Sequence, residues 1–158
     1  MGLLADRISS SMEWPESSLP WREQLWFWGE SFRKILLSHR DTVDLFNSSR
    51  ASGYDRLKQV EKLYALLSSI GFPDQQVPWV ASILKNYVLG FVGEEVRLRL
   101  NAEHAELSEH YNQYYSQLSA EEFPTIIRLA SYTTNSDWAK EFEFGLDVLI
   151  EGLAVRLR

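Results

Sequence analysis

The sequence predicts an all-α protein, an antiparallel bundle of helices. Apolar residues recur at intervals of three and four along most of the chain, and no stretch alternates apolar and polar residues as a half-buried strand would. Clear stop signals separate the periodic segments. With 158 residues, 45% of them apolar, the chain can bury one ordinary core, so we expect one domain over residues 1–158.

The end of the chain predicts the helix around which the others are organised. Ser136 is a suitable N-cap, Asp137 would add a carboxylate to the first turn, and no proline follows. At about 100° per residue this helix has two apolar faces. The first holds Phe142, Leu146, Leu149, Ile150, Leu153 and Leu157, and the second holds Phe144, Gly145, Val148, Gly152 and Val155.

The second face predicts a homodimer. A helix of so small a domain needs one buried face, so another layer is expected, most simply the same helix of a second copy. Gly145 and Gly152 lie two turns apart on this face and would let another backbone come close. Each glycine lowers the stability of the helix by about 1 kcal/mol relative to alanine. The alternative is a central helix of a monomeric bundle.

Earlier segments predict further helices. Residues 3–12 form a possible short helix, and a long one begins near Ser18, with Pro20 just inside, and runs to about Ser38. Residues 41–46 add a turn or two before a polar linker over 47–53. The long helix has an apolar stripe of Trp21, Leu25, Trp28, Phe32, Ile35 and Leu36, which Trp26 and Phe27 widen.

Two more long helices follow. One covers 54–69 and stops at Gly71 and Pro73. The next starts between 74 and 78 and runs to about Leu100. It is apolar on more than one side near Gly90 and Gly93, so it is the second candidate for the dimer interface, which would include Tyr87, Gly90 and Phe91.

The region before the final helix is less regular. Residues 101–119 are polar, and order is doubtful there. Residues 119–122 then read as a capping box that opens a short helix from Phe123 to about Ser131.

Composition and charge exclude several classes of function and site. The chain has 16 basic and 22 acidic side chains, a net charge of −6 and no Lys/Arg cluster, so by itself it does not attract nucleic acid or anionic membranes. Cysteine is absent, which excludes disulfides and thiolate metal sites. Neither a signal peptide nor a run of membrane-spanning length occurs, so we expect a soluble cytoplasmic protein.

The residues give no sign of an enzyme, a cofactor or a metal site. Phosphate loops, nucleophile elbows and zinc-binding helices are missing from the sequence. His104 and His110 would point about 120° apart on a helix, and His39 has the position of a helix end. Glu94 and Glu95 are adjacent and face different ways, which argues against shared acid–base work.

A recognition pocket is the remaining possibility. In a bundle, the turn after the second helix would bring aromatic and polar side chains to the space between that helix and the next two, as in small-molecule sites. The equally acceptable alternative is a plain aromatic core. The predicted lining residues are Trp28, Phe32, Phe46, Val60, Tyr64 and Asn86.

Five motifs in order and spacing resemble the C-terminal domain of tetracycline-repressor (TetR) family regulators. They are Ser31 to Asp41 (SFRKILLSHRD), Ile70-Gly71-Phe72, Tyr87 to Glu95 (YVLGFVGEE), Phe123-Pro124, and Phe142 to Leu153 (FEFGLDVLIEGL). The resemblance implies a domain that dimerises through a four-helix bundle and holds an inducer, while an N-terminal helix-turn-helix domain binds operator DNA. Residues 3–12 match the helix that would join the two domains, so the chain looks like a regulator without its helix-turn-helix domain.

The resemblance also adds pocket residues and one departure. Arg50 and Glu94 fall at pocket positions of the family. Phe46 stands where tetracycline repressors carry a metal-binding histidine, and Trp28 replaces a polar drug contact, which argues against a metal-chelated tetracycline. The expected function is therefore a repressor released from DNA by an apolar or aromatic effector. The alternative is a stand-alone dimerisation module without a ligand.

Overall fold

The computed structural model describes residues 11–39, 53–99, 110, 113–134 and 137–157. In these ranges the fold is all-α, as predicted, with a short helical stretch at 113–116 and five longer helices. The expected helices over 3–12 and 41–46 lie almost wholly outside the described residues. The longer helices are α1 Trp21–Ser38, α2 Tyr54–Ile70, α3 Val77–Arg99, α4 Pro124–Thr134 and α5 Trp138–Arg156.

Two helix ends lie where local sequence signals predicted them. At the end of α2, Gly71 has a φ of 120°, and its N–H donates to the carbonyl oxygens of Leu67 and Ser68, so the left-handed stop predicted from the sequence is present. His39 forms the C-cap of α1, as its position indicated.

Two predicted helix starts were misplaced by one residue each. The N-cap of α5 is Asp137, whose carboxylate accepts a hydrogen bond from the N–H of Lys140, and the prediction of Ser136 was wrong. Similarly, 119–122 is a turn rather than a capping box, and α4 starts at Pro124, a residue well suited to the first helical position.

Helix α3 is the centre of the packing. It lies against α1, α2 and α5, and α1 also packs against α5. Its inner stripe includes Val80, Leu84, Val88 and Val92, which recur every four residues. Gly29 of α1 faces Leu146 of α5 so closely that a methyl group there would be 2.6 Å from that side chain. The core thus lies between α3 and the three helices that pack against it, α1, α2 and α5.

Helix α5 has the two faces that its sequence predicted. On the first face, Phe142, Leu146, Ile150 and Leu153 are buried. Most of the second face is open to solvent in the single chain, with Phe144 72% and Val155 63% exposed. Helix α3 likewise exposes an outer stripe that contains Trp79, Ile83 and Gly90.

One glycine of the second face has a role inside the chain. A methyl group at Gly145 would lie 2.1 Å from the hydroxyl oxygen of Tyr87, so the missing side chain makes room for this ring. Tyr87 and Gly145 were both predicted to contact a second copy, and within the single chain they pack on each other. Gly90 and Gly152, in contrast, have open space where a side chain would be.

We expect Gly145→Ala to destabilise the chain by about 1–3 kcal/mol, because the Tyr87 ring must move out of a packed position. Gly152→Ala is the matched control on the same helix and should be neutral or favourable by up to about 1 kcal/mol in the unassociated chain. Urea unfolding at concentrations too low for association measures both. Equal effects of the two substitutions would contradict this account.

Candidate functional site

The inner face of α1 carries the aromatic pair predicted for the pocket. Trp28 and Phe32 are buried, and their ring centroids are 5.5 Å apart. Trp26, in contrast, is 38% exposed and lies on the opposite side of the helix. The prediction that Trp26 widens the core stripe was therefore wrong, since two residues along a helix turn a side chain through about 200°.

The remaining predicted pocket residues divide into three groups. Val60 and Tyr64 are half-buried on α2. Asn86 and Glu94 are exposed on the outer side of α3, about 160° and 240° around the helix from the buried Val88, so within one chain they do not share a pocket with the aromatic pair. Phe46 and Arg50 lie outside the described residues.

Beside the aromatic pair, the structure buries a charged cluster. The carboxylate of Glu95 is 0% exposed and accepts hydrogen bonds from Nε and Nη2 of Arg33, at 3.1 and 2.8 Å. Arg99, one turn further along α3, places its Nη2 2.9 Å from the same carboxylate. This fork-shaped pairing is the strong form of a charge-assisted hydrogen bond. It joins α1 to α3 across 62 residues of sequence.

The cluster also reaches α5. The guanidinium carbon of Arg33 lies 5.3 Å from the ring centroid of Phe142, and the Tyr87 ring stacks on the same phenyl group at 5.4 Å. The Tyr87 hydroxyl donates to the carbonyl oxygen of Phe142 at 2.9 Å. Burial, followed by the nearby charge of Glu141, raises the pKa of Tyr87 to about 12, so this hydroxyl stays a donor. One ion cluster and one ring thus connect α1, α3 and α5.

Glu30, one turn before Arg33, is an unsatisfied acid. One of its carboxylate oxygens is shielded from water and has no hydrogen-bond partner within the described part of the chain. Burial raises the pKa of Glu30, Arg33 opposes the rise, and Glu143 of α5 adds to it. A carboxylate whose pKa rises on folding favours the folded state at low pH, and this contribution is lost as pH rises through the folded pKa.

The described residues contain neither a grouping of metal ligands nor a membrane-spanning helix. Across the described ranges, no three His, Asp or Glu side chains are grouped so that they could hold a metal ion. None of the described helices is long and apolar enough to cross a bilayer.

Comparison with known proteins identifies the fold. The sequence profile described as tetracyclin repressor-like, C-terminal domain, matches residues 15–157. The chain belongs to this family. A curated relative from Saccharopolyspora erythraea, an HTH-type transcriptional regulator, is 26% identical over 160 residues. That alignment covers 98% of this chain, which spans only 64% of the relative's length.

Solved structures of one TetR-family protein, ActR from Streptomyces coelicolor, resemble this chain closely. ActR in complex with actinorhodin superposes with a TM-score of 0.89 at 26% identity, covering 99% of this chain and 75% of ActR. ActR in complex with (S)-DNPA gives a TM-score of 0.87 at 25% identity, with the same coverage. The chain is therefore a TetR-family regulatory domain, and its match with small-molecule-bound structures spans nearly all of it.

The ion cluster is the part of the site that sequence reasoning missed. The signal was present, because Glu95 follows Val88 and Val92 at helical spacing, so a carboxylate stands on an otherwise apolar stripe. Such a position requires a cationic partner, since an unpaired buried charge is too costly. The family resemblance indicated Glu94, the exposed neighbour of Glu95, as the pocket residue instead.

We expect Glu95→Gln to destabilise the fold by about 3 kcal/mol, because it leaves the guanidinium of Arg33, only 11% exposed, without its counter-charge. The double variant with Arg33→Met should recover most of this loss, since both charges are then removed. Arg99→Met, whose side chain is 47% exposed, is the control and should cost under about 1 kcal/mol. Denaturant unfolding tests the cycle, and strictly additive losses for Glu95 and Arg33 would contradict the pairing.

Proposed function

We propose that this chain is the effector-binding and dimerisation domain of a TetR-family transcriptional repressor, and that an apolar or aromatic small molecule releases the repressor from operator DNA. The observation that carries the proposal is the similarity over nearly the whole chain to ActR, whose structures contain actinorhodin and (S)-DNPA. DNA contact would require the helix-turn-helix domain implied by the resemblance.

The space between α1 and α2 is where the effector would bind. Both helices pack on α3, and within the described residues α1 and α2 pack less closely on each other than either does on α3. Trp28 and Phe32 face inward from α1, and Val60 and Tyr64 are half-buried on α2. A mostly aromatic wall with few polar groups suits a planar apolar ligand. Phe46, from the predicted turn over 41–46, and Arg50, from the linker that follows it, are proposed as further contacts.

A metal-chelated tetracycline does not suit this wall. A phenyl ring at Phe46 offers no oxygen or nitrogen ligand, and Mg²⁺ requires near-ideal octahedral oxygen coordination. Asn86 and Glu94 are on the outer side of α3, so within one chain they cannot replace the missing ligand. We include them as contacts only for an effector that reaches the side where a second copy would lie.

Release from DNA requires a structural connection between the pocket and the helix-turn-helix domain. Trp14, just before α1, donates a hydrogen bond from its indole N–H to Gln59 of α2, and the Lys62 ammonium lies 5.6 Å from the Trp14 ring centroid. A displacement of α2 by the effector would therefore move the segment that follows residues 3–12. Changing the dimer from mostly DNA-competent to mostly incompetent requires about 5 kcal/mol of differential binding.

Dimerisation would use the exposed apolar stripes of α3 and α5. Gly90, Phe144, Val148, Gly152 and Val155 are exposed in the single chain, and the two helices are neighbours. Paired across a twofold axis, they would form the four-helix bundle typical of the family. Tyr87, Phe91 and Gly145 are half-buried within the chain and would contribute at the margin.

Thermal melting with actinorhodin, (S)-DNPA and a panel of planar aromatic compounds tests the effector proposal. We expect at least one compound to raise the melting temperature of the wild-type chain, because binding to the folded state alone stabilises it. Trp28→Ala should abolish this response as well as lower intrinsic stability by about 3–5 kcal/mol.

Trp26→Ala is the matched control, since the same residue type is removed from the opposite side of the same helix. It should keep the response to the effector. Loss of response in Trp26→Ala but not in Trp28→Ala would refute the inner pocket. Stabilisation by no compound would favour the alternative function, a dimerisation module with a filled core.

Sedimentation of Val148→Glu tests the interface. A buried, unpaired carboxylate in each copy should weaken the dimer at least about hundredfold, equivalent to about 3 kcal/mol. Leu57→Glu, on the exposed side of α2, is the control and should sediment as the wild type does. A monomeric wild-type chain at micromolar concentration would refute the dimer proposal.

A further inference from the structure

Six exposed residues form the outer stripe of α3. They lie within about 80° of the helix circumference, roughly 160–240° around the helix from the buried Val88. The stripe is apolar at its beginning and charged at its end, and in its middle Gly90 has open space where a side chain would be. In chain order the stripe consists of Trp79, Ile83, Asn86, Gly90, Glu94 and Arg97.

The spacing of this stripe is symmetric about Gly90. Asn86 and Glu94 lie four residues before and after it, and Ile83 and Arg97 lie seven residues before and after it. A twofold axis through Gly90 would reverse the direction of α3 in a second copy, so each residue before Gly90 would face its symmetric counterpart after Gly90. Asn86 of each copy would then face Glu94 of the other.

The groups that would meet are chemically complementary. The Asn86 amide carries N–H donors, whereas the Glu94 carboxylate only accepts, and within the described part of the chain it takes part in no ion pair. Burial of this carboxylate in an interface without a donor would be costly. The missing side chain of Gly90 allows the two helix axes to come to about 8 Å, the close end of the usual range, so these short side chains can reach each other.

The next pair out from the axis is also compatible. Arg97 of one copy would lay the apolar stem of its side chain on the exposed Ile83 of the other and keep its guanidinium in water. The stripe continues into the exposed apolar residues of α5, because α3 and α5 are packed neighbours. A second copy of this chain is therefore the occupant that matches the stripe in both shape and charge.

We propose that two copies cross at Gly90 on the twofold axis, that the Asn86 amide of each donates to the Glu94 carboxylate of the other, and that this pair selects identical partners. The proposal rests on the dimer of the proposed function and adds its register. Apolar contacts alone would tolerate several registers, but only this one satisfies both polar groups. A related chain that lacks either group would leave the other unpaired, which disfavours mixed dimers.

Cross-linking tests the register, because the chain contains no cysteine and single cysteines can be placed at will. We expect Asn86→Cys and Glu94→Cys, refolded together and oxidised, to give a disulfide-linked dimer. Neither variant should cross-link alone, since two copies of one position would lie about 12 Å apart along the helix, beyond the reach of a disulfide. Glu94→Cys mixed with Arg97→Cys is the wrong-register control and should stay unlinked.

Sedimentation tests the pairing. Asn86→Asp places a carboxylate opposite each Glu94 and should weaken the dimer at least about tenfold. Adding Glu94→Gln restores one acid opposite one amide in reverse order, so the double variant should return to within about threefold of the wild type. Ser82→Asp, an exposed residue of α3 outside the stripe, is the matched control and should associate as the wild type does.

Far-UV circular dichroism verifies that each variant is folded. A wild-type dimer overturns this proposal, and leaves dimerisation itself standing, if the mixture of Asn86→Cys and Glu94→Cys does not cross-link, if either variant cross-links with itself, or if Asn86→Asp associates normally. A wild-type chain that is monomeric at micromolar concentration refutes the dimer of the proposed function, and the register with it.

Discussion

The arrangement of the helices depends on one buried carboxylate, that of Glu95. A charge with no exposure to water requires matched partners, and the planar fork of Arg33 fits it in few orientations. Because Arg33 is on α1 and Glu95 is on α3, the pair fixes both the rotation of α1 and its position along α3. An apolar contact of the same area would tolerate small slips of one helix against the other, whereas a two-point hydrogen bond does not.

The rotation of α1 sets by geometry what each of its sides can do. Trp28 and Phe32 point into the core from the inner side of α1, whereas Trp26, Glu30 and Arg33, spaced by four and three residues, share its outer side, from which Arg33 reaches Glu95 on α3. The inner side is aromatic and nearly free of polar groups, and the outer side mixes rings with acids. The two sides of α1 are therefore chemically different surfaces of one helix.

Periodicity predicted the helices and their buried faces because both depend on residues close in sequence. Gly71 and Pro73 end α2 where expected, and the two-faced character of α5 follows from its spacing alone. What sequence did not reveal depends on distant partners. Helical spacing places Glu95 rather than Glu94 on the stripe of Val88 and Val92, but it does not identify the cation that pairs with Glu95, which is Arg33, 62 residues away.

Tyr87 and Gly145 show the same dependence on a distant partner within the chain. A glycine on an apolar face indicates that something approaches closely, but not whether it belongs to the same chain. Here the approaching group is the hydroxyl of Tyr87, held by the carbonyl of Phe142, whose ring lies against Arg33. The ion cluster therefore extends to the margin of the exposed stripe on α5. Contacts through Arg33 and Phe142 thus join α1 to the edge of the exposed stripe on α5, so a displacement of α1 would have to break or carry along this series of contacts.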